Sequence, residues 1–190
     1  MADTAMARIP RDKLPEEFQA AWGALNKLTG EPTFVEVFAQ APDVLRFVMN
    51  DFYVKLFFGG NVDQRYKQLV RLKLSLVHGC RTCNKQNIPG ALEAGVTQAQ
   101  IDAMGDYNNG SFSDTDKAVL RFADQMVLTN MNGTLDAPLY EALKPYFDDG
   151  QLFELGVTAA VLTGMAKFLF VYDLVEKEAN CPIVPRQAAE

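Results

Sequence analysis

Apolar residues recur every three or four positions along most of the chain. The segment between Pro42 and Gly59 shows the repeat well, and its apolar positions are Val44, Leu45, Val48, Met49, Phe52 and Leu56. This spacing places them on one face of an α-helix. Residues 69–77 and 119–127 repeat the pattern, and no alternating strand pattern of useful length competes with it. We therefore predict an all-α protein.

Turn and capping residues predict where these helices begin and end. Pro15, which is followed by two acidic residues, begins a first helix, and Gly30 ends it. A longer helix, capped by Asn61 or Asp63, runs through Val77. The cysteine pair that is described below follows the end of this longer helix.

Signals in the second half of the chain divide it into further helices. Thr97, followed three residues later by glutamine, has the pattern of a capping box, and Ser113, followed by aspartate at the same distance, begins another helix. A helical pattern over 84–94 contains Pro89 and a glycine, so we expect a kink or break there. A last long helix is predicted over 151–177.

Composition and charge limit the classes of function. The chain has 190 residues, of which 48% are hydrophobic and 22% charged, as expected for one domain with a substantial core. The net charge is −6 and no basic block is present, so no nucleic-acid partner is predicted. Charged residues interrupt the apolar stretch 152–175, which therefore indicates a buried helix and no membrane partner.

The most informative local feature is a single Cys-x-x-Cys motif, Cys80 and Cys83, which lies where one helical pattern stops and another starts. A helix N-terminus favours the thiolate, which is the reactive form of cysteine. Cys181 is the third cysteine, so a structural disulfide framework is not expected. The first 14 residues lack an apolar signal core, and we therefore expect a reducing cytoplasm, where such a pair is catalytic or metal-binding more often than structural.

A zinc site is one alternative for these cysteines. His78, Cys80, Cys83 and Cys181 supply four ligands of suitable type. The His-x-Cys spacing is tight and a second Cys-x-x-Cys is absent from the sequence, so we favour redox chemistry and predict no metal and no cofactor.

The sequence around the cysteines resembles the signature helix of the AhpD-like family, within the carboxymuconolactone decarboxylase superfamily. Residues 66–83 read YKQLVRLKLSLVHGCRTC, and residues 91–97 read ALEAGVT. Later helical segments over 118–130 and 152–174 also resemble that family. The resemblance implies a single helical domain over 1–190, composed of an N-terminal extension (1–33), an AhpD-like core (34–178) and an irregular tail (179–190).

The resemblance also implies an activity. In that family the cysteine pair reduces peroxides or passes electrons to a peroxiredoxin-type partner. By position, Cys83 would be the peroxidatic residue that becomes sulfenic acid, and Cys80 would resolve it into a disulfide. The helix dipole alone favours Cys80 as the thiol with the lower pKa. A thiol electron donor and a homo-oligomer, whether dimer, trimer or hexamer, are expected as well.

Two positions depart from the family pattern. Its proton relay has a glutamate where this chain has Gln68 and a histidine where this chain has Asn87. Neither residue exchanges a proton near neutral pH, and their loss should slow peroxide chemistry by about 10²- to 10⁴-fold. His78, the single histidine, is either a replacement base or simply the last residue of its helix, where it would favour the negative pole.

Other residues near the cysteines have two interpretations each. Arg71 and Lys73 would favour a thiolate if they lie close to the sulfurs, and otherwise are solvated. The aromatic residues Phe52, Tyr53, Phe57 and Phe58 either line a peroxide pocket or pack in a core or subunit interface.

The sequence therefore predicts a thiol-dependent peroxide or disulfide reductase that uses Cys80 and Cys83, with a proton relay impaired at Gln68 and Asn87. The alternative is a redox-degenerate AhpD-like protein with a structural or partner-binding function. Lactone decarboxylation, the other chemistry of the superfamily, is disfavoured because the histidine and glutamate on which it depends cannot be placed in this chain.

Overall fold

The computed structural model describes residues 2–179 and residue 181, and helices make up nearly all of its regular structure. They are α1 (Glu16–Thr29), α2 (Thr33–Phe38), α3 (Pro42–Arg46), α4 (Gln64–His78), α5 (Arg81–Glu93), α6 (Gln98–Asp102), α7 (Asp114–Gln125), α8 (Ala137–Leu143) and α9 (Asp149–Val171). Helix α3 continues as a π-helix over Phe47–Phe57. One isolated bridge and no strand occur in the described part of the chain, which confirms the all-α prediction.

Four predicted helix boundaries are confirmed. Gly30 ends α1 in the left-handed conformation at φ 72°. The side chain of Asp63 caps α4 by accepting a hydrogen bond from the backbone N–H of Arg65 at 2.8 Å. Thr97 and Ser113 each form a complete capping box, at α6 and α7.

Three features differ from the prediction. Helix α5 passes through Pro89 without a break, since proline removes one backbone donor only and the helix packs along α4. The π-helix over Phe47–Phe57 has no signal in the apolar pattern. Helix α9 ends at Val171, before Lys177, because the chain reverses at Asp173, whose φ is 52°.

Helix α4 passes through the main hydrophobic core, which α7, α8 and α9 complete. Its fully buried residues include Leu69, Val70 and Leu72, and they pack with apolar residues of the later helices. A second, smaller core joins α1, α2 and α3, with Phe18 and Leu45 at its centre. A large cavity beside the cysteines, which is described below, is also lined by residues of this second core, among them Leu25, Phe34, Val35 and Met49.

The segment that follows α9 returns to the cysteine motif. Lys177 forms an antiparallel bridge with Cys80, and the N–H of Glu178 donates to the carbonyl of Gly79 at 2.8 Å. The Sγ of Cys181 donates to the carbonyl of His78 at 3.0 Å. Gly79, at φ 67°, admits this close approach, because a Cβ there would lie 2.7 Å from the Cα of Cys181. Apart from residues 179 and 181, the predicted tail (179–190) lies outside the described residues.

Helix α9 is buried on one face only. By length and composition, α9 is apolar enough to cross a membrane. This is weak evidence for a membrane span, because core helices of soluble proteins have the same length and composition. Leu155 and Ala159 are buried on its inner face, but Phe153 is 75% exposed and Val171 is 65% exposed on the outer one. The interpretation of 152–175 as a buried helix therefore holds for the inner face and is wrong for the outer one.

Candidate active site

Cys80 and Cys83 are joined by a disulfide at the start of α5, with 5.2 Å between their Cα atoms. Cys80 is the N-cap residue of this helix, and its Sγ accepts a hydrogen bond from the backbone N–H of Cys83 at 3.2 Å. The predicted location of the pair at a helix start is confirmed. The helix N-terminus favours negative charge on the Cys80 sulfur when the disulfide opens.

The two sulfurs differ in access. Cys80 is 1% exposed and lines only a small inner cavity of about 70 Å³. Cys83 is partly buried and lines both this inner cavity and a much larger cavity of about 460 Å³. A molecule in the large cavity therefore meets the sulfur of Cys83 first.

The large cavity is mainly apolar, and six helical segments form its walls. Helix α1 presents Ala21, Ala24, Leu25 and Leu28 to it, at the i, i+3, i+4, i+7 spacing of one helix face. The residues before the predicted core thus contribute directly to the candidate site. Val54 and Phe58 lie at the exposed part of the wall, at 62% and 56% exposure.

Arg71 brings a buried positive charge to both cavities. It is 7% exposed, and its guanidinium carbon lies 5.3 Å from the ring centre of Tyr53 and 5.1 Å from that of Phe57. These distances are typical of cation–π contacts. Among residues 2–179 and 181, no carboxylate pairs with this guanidinium and no oxygen accepts a hydrogen bond from it.

Lys73, the other cation before the cysteines, faces away from them. Its Nζ pairs with Asp124 at 3.1 Å and lies 4.8 Å from the ring centre of Tyr107. Lys73 lines neither of the two cavities at the cysteines. A structural role therefore accounts for it.

The two substituted relay positions are both buried at the site. Gln68 lines the large cavity beside Gly90, and its Oε1 has no hydrogen-bond donor within the described part of the chain. Asn87 lines the inner cavity, and its Nδ2 donates to the backbone carbonyl of Arg71 at 3.4 Å.

His78 lines the inner cavity together with both cysteines and is fully buried. Its Nε2 accepts a hydrogen bond from the backbone N–H of Leu128 at 3.0 Å, which assigns the ring proton to Nδ1. Burial lowers the pKa of His78 to about 4. At neutral pH it is therefore an uncharged, weakly basic ring whose Nδ1–H has no acceptor within residues 2–179 and 181.

The structure brings most of the residues selected from the sequence together. Cys80, Cys83, His78 and Asn87 share the inner cavity, and Gln68 shares the large cavity with Cys83. Two features of the site had no distinct signal in the sequence. They are the cavity wall that α1 forms and the charge of Arg71, which has no partner among the described residues. The apolar i, i+3, i+4, i+7 spacing in α1 could have indicated a packing face, although not what it faces.

No cluster of metal ligands accompanies these residues. Within residues 2–179 and 181, no three His, Cys, Asp or Glu side chains are arranged to hold a metal ion. In the disulfide form, Cys80 and Cys83 have no thiolate to offer as ligands.

Comparison with known proteins finds one matching family model and one shared fold. The model of the carboxymuconolactone decarboxylase family matches residues 42–107, which include the cysteine pair. YdfG of Bacillus subtilis strain 168, which is uncharacterized, is 23% identical over 123 residues, or 64% of this chain and 81% of YdfG.

Two solved structures share the architecture over nearly the whole chain. One is an uncharacterized peroxidase-related protein from Ralstonia eutropha JMP134 with an alkylhydroperoxidase AhpD core, at a TM-score of 0.72, 13% identity and 93% coverage of both chains. The other is the debrominase Bmp8, in a cysteine-to-alanine variant bound to 2,3,4-tribromopyrrole, at a TM-score of 0.69, 16% identity and the same coverage. The predicted AhpD-like fold is confirmed.

Proposed function

We propose that this chain, whose residues 42–107 match the carboxymuconolactone decarboxylase family and which has the AhpD-like fold, is a thiol-dependent reductase of peroxides or disulfides. The observation that carries the proposal is the Cys80–Cys83 disulfide at the N-terminus of α5, with Cys83 on the wall of a 460 Å³ cavity. A dithiol beside a cavity of this size can meet an organic substrate.

Peroxide reduction proceeds in two steps. The thiolate of Cys83 attacks the outer oxygen of a hydroperoxide, the O–O bond breaks, and the alkoxide takes up a proton and leaves as an alcohol. Cys83 is then a sulfenic acid. The Cys80 thiol displaces its hydroxyl as water and closes the disulfide, so that one hydroperoxide and two thiols give one alcohol, one water and one disulfide.

Access and electrostatics support this division of roles. Cys83 faces the large cavity, whereas Cys80 is enclosed. Arg71 lines both cavities and, in the reduced protein, supplies the positive charge that favours a thiolate at Cys83. The carry-over of roles from the family is thereby supported on physical grounds.

His78 acts in this scheme as a hydrogen-bond donor through Nδ1, because its Nε2 is occupied by Leu128 and its pKa is about 4. A base with so low a pKa removes a thiol proton poorly at pH 7. Gln68 and Asn87 orient water or substrate by hydrogen bonds and exchange no proton. The slow step is therefore proton transfer.

An external thiol completes the cycle. Its thiolate attacks Cys83, the more accessible sulfur, and Cys80 leaves as a thiolate that the N-terminus of α5 stabilises. A second thiolate releases the donor as its own disulfide. A small dithiol or a peroxiredoxin-type protein has the chemistry to act as the donor.

The setting follows from the chemistry. Turnover needs a reducing compartment, so we place the protein in the cytoplasm. Exposed apolar side chains are consistent with burial in a homo-oligomer. They are Phe47 and Val54 on the π-helix, Phe58 directly after it, and Phe153 and Val171 on α9. A native mass above that of one chain tests this assembly.

A second candidate reaction is reductive removal of a halogen from an apolar ring. The large apolar cavity favours it, and the debrominase Bmp8 has the same fold. An aryl bromide and two thiols would give the hydrogen-substituted ring, hydrogen bromide and the disulfide. Bromide release from 2,3,4-tribromopyrrole in the presence of a dithiol measures this reaction separately.

The function is tested by steady-state turnover of cumene hydroperoxide and of a disulfide, oxidised glutathione, with dithiothreitol as donor and with the uncatalysed rate subtracted. The wild-type protein is expected to turn over at least one, and Cys83→Ser neither. Equal rates in Cys80→Ser, Cys83→Ser and wild type would overturn the proposal. An oxidisable pair with no turnover of either substrate would favour the structural or partner-binding alternative.

A further inference from the structure

We infer that the large cavity binds an apolar molecule that carries one anionic head group, which Arg71 recognises. This inference names the substrate class of the proposed reductase and, in that respect, rests on the proposed function. The binding itself needs no redox step and depends on the cavity alone.

The shape and lining of the cavity select the body of the ligand. A volume of about 460 Å³ lies in the range of small-molecule sites. Its walls include the α1 face described above together with Phe34, Met49 and Leu169. A hydrocarbon chain or a small ring would bury apolar area against these side chains.

The charge of Arg71 selects the head group. A guanidinium that is 7% exposed and has no acceptor within the described residues is left with unused donors at the cavity wall. The rings of Tyr53 and Phe57 hold it in place but accept no conventional hydrogen bond. A carboxylate would accept two charge-assisted hydrogen bonds from these donors.

The two acidic residues on the cavity wall do not supply this partner. The carboxylate of Glu31 is buried and accepts hydrogen bonds from Thr33, through its backbone N–H at 3.2 Å and through its hydroxyl. Glu93, the last residue of α5, is exposed at the rim. Arg71 is therefore the charge that a ligand in this cavity would neutralise.

Gln68 adds a second polar contact. Its side chain lines the same cavity as Arg71 and Cys83, and its buried Oε1 lacks a donor within residues 2–179 and 181. It can accept a hydrogen bond from the O–H of a hydroperoxide. Since Arg71 and Cys83 also share the 70 Å³ inner cavity, the reducible bond lies near the head group. The substrate class is thus an apolar hydroperoxy acid, which two thiols reduce to the hydroxy acid and water.

Binding is tested on the oxidised wild-type protein by isothermal titration with decanoate and with decanol, each below its aggregation concentration. The two probes share an alkyl chain and differ in the head group. Decanoate is expected to bind about 10- to 100-fold more tightly than decanol, because hydrogen bonds to a charged group usually contribute that much to affinity. Equal affinity, or tighter binding of decanol, would overturn the inference without any variant.

Substitutions then locate the contact. Arg71→Met is expected to weaken decanoate binding by about 10- to 100-fold and to leave decanol binding nearly unchanged, whereas Arg71→Lys retains part of the preference. Arg121→Met, an exposed arginine away from both cavities, is the matched control. Unchanged decanoate binding by a folded Arg71→Met protein would contradict the assignment.

A steric pair tests the location of the chain. Ala24→Phe, which adds bulk on the cavity wall, is expected to weaken both probes, whereas Asn26→Phe, at an exposed position of α1 that does not line the cavity, is expected to weaken neither. These outcomes separate the two proposals. Selective decanoate binding without any turnover would reject the reductase and support the binding site. Turnover without selective binding would support the reductase and reject the binding site.

Discussion

The backbone N–H of Cys83 donates a hydrogen bond to the Sγ of Cys80 at 3.2 Å, so the two cysteines of the motif are not equivalent. Cys80 is the N-cap of α5 and is enclosed, whereas Cys83 reaches the large cavity. Geometry thus makes one sulfur the better leaving group and the other the more accessible one. A bare Cys-x-x-Cys motif does not reveal this asymmetry.

The asymmetry predicts different products from the two serine variants. With one equivalent of cumene hydroperoxide, reduced Cys80→Ser should accumulate a sulfenic acid at Cys83, because the resolving thiol of Cys80 is gone. Reduced Cys83→Ser should react far more slowly, since Cys80 is enclosed. Dimedone trapping and peptide mass spectrometry locate the adduct. A fast adduct on Cys80 in Cys83→Ser would reverse the assigned roles.

The missing relay predicts a gain of activity on repair. Gln68→Glu combined with Asn87→His returns a carboxylate and an imidazole to the two buried positions, and hydroperoxide turnover should rise by about 10²- to 10⁴-fold. The steady-state rate with dithiothreitol measures it. The same two substitutions in the Cys83→Ser background control for peroxide loss that does not need the thiol. An unchanged rate in the repaired protein would mean that proton transfer is not the slow step.

Burial of His78 predicts a loss of stability in weak acid. Its pKa is about 4 in the folded protein against 6.5 for an unperturbed histidine, so the unfolded chain binds an additional proton between these values. This contribution to stability is present above pH 6.5 and is lost as the pH falls toward 4. Between pH 7 and pH 5 the free energy of unfolding should fall by about 2 kcal/mol from this group.

Urea unfolding at the two pH values measures the effect. His78→Gln, whose side-chain oxygen can still accept from the N–H of Leu128, should lose most of the pH dependence, and since the chain has one histidine the comparison is clean. The same fall in wild type and variant would show that other groups cause it.

A buried ion pair between α4 and α9 predicts a large structural effect. The Nζ of Lys67, which is fully buried, lies 2.6 Å from Glu154 and also donates to the carbonyls of Leu56 and Gly59. Glu154→Gln should lower the free energy of unfolding by about 3–5 kcal/mol, because it leaves the ammonium buried without a counter-charge. Chemical denaturation measures this loss.

The matched control for that substitution is Glu17→Gln. Glu17 pairs with Arg46 on the surface, where water already solvates both charges, so its loss should matter far less. Similar changes in the two variants would contradict the account of the buried pair.

Local features of the fold could be predicted from the sequence because they depend on neighbouring residues. The capping boxes at Thr97 and Ser113 and the helix end at Gly30 need only a few adjacent positions. The helix start at Cys80 follows from the same kind of signal. The break predicted at Pro89 does not occur, because packing of α5 against α4 outweighs one lost backbone donor.

The site depended on tertiary relations that no local pattern carries. The proton position on His78 is set by the N–H of Leu128, fifty residues away in the sequence. Helix α1 becomes a cavity wall by packing near α5, and Arg71 is recognised as unpaired only once its neighbours are known. Sequence reasoning therefore selected the cysteines and the relay positions but not the cavity that they face.

The central claim is that Cys80 and Cys83 cycle between dithiol and disulfide as they reduce a substrate. Its most direct test is a single turnover of fully reduced wild-type protein with one equivalent of cumene hydroperoxide, followed by intact and peptide mass spectrometry. The account predicts one equivalent of cumyl alcohol and the loss of two protons from the peptide that contains Cys80 and Cys83. Unconsumed hydroperoxide with both thiols still reduced would contradict it.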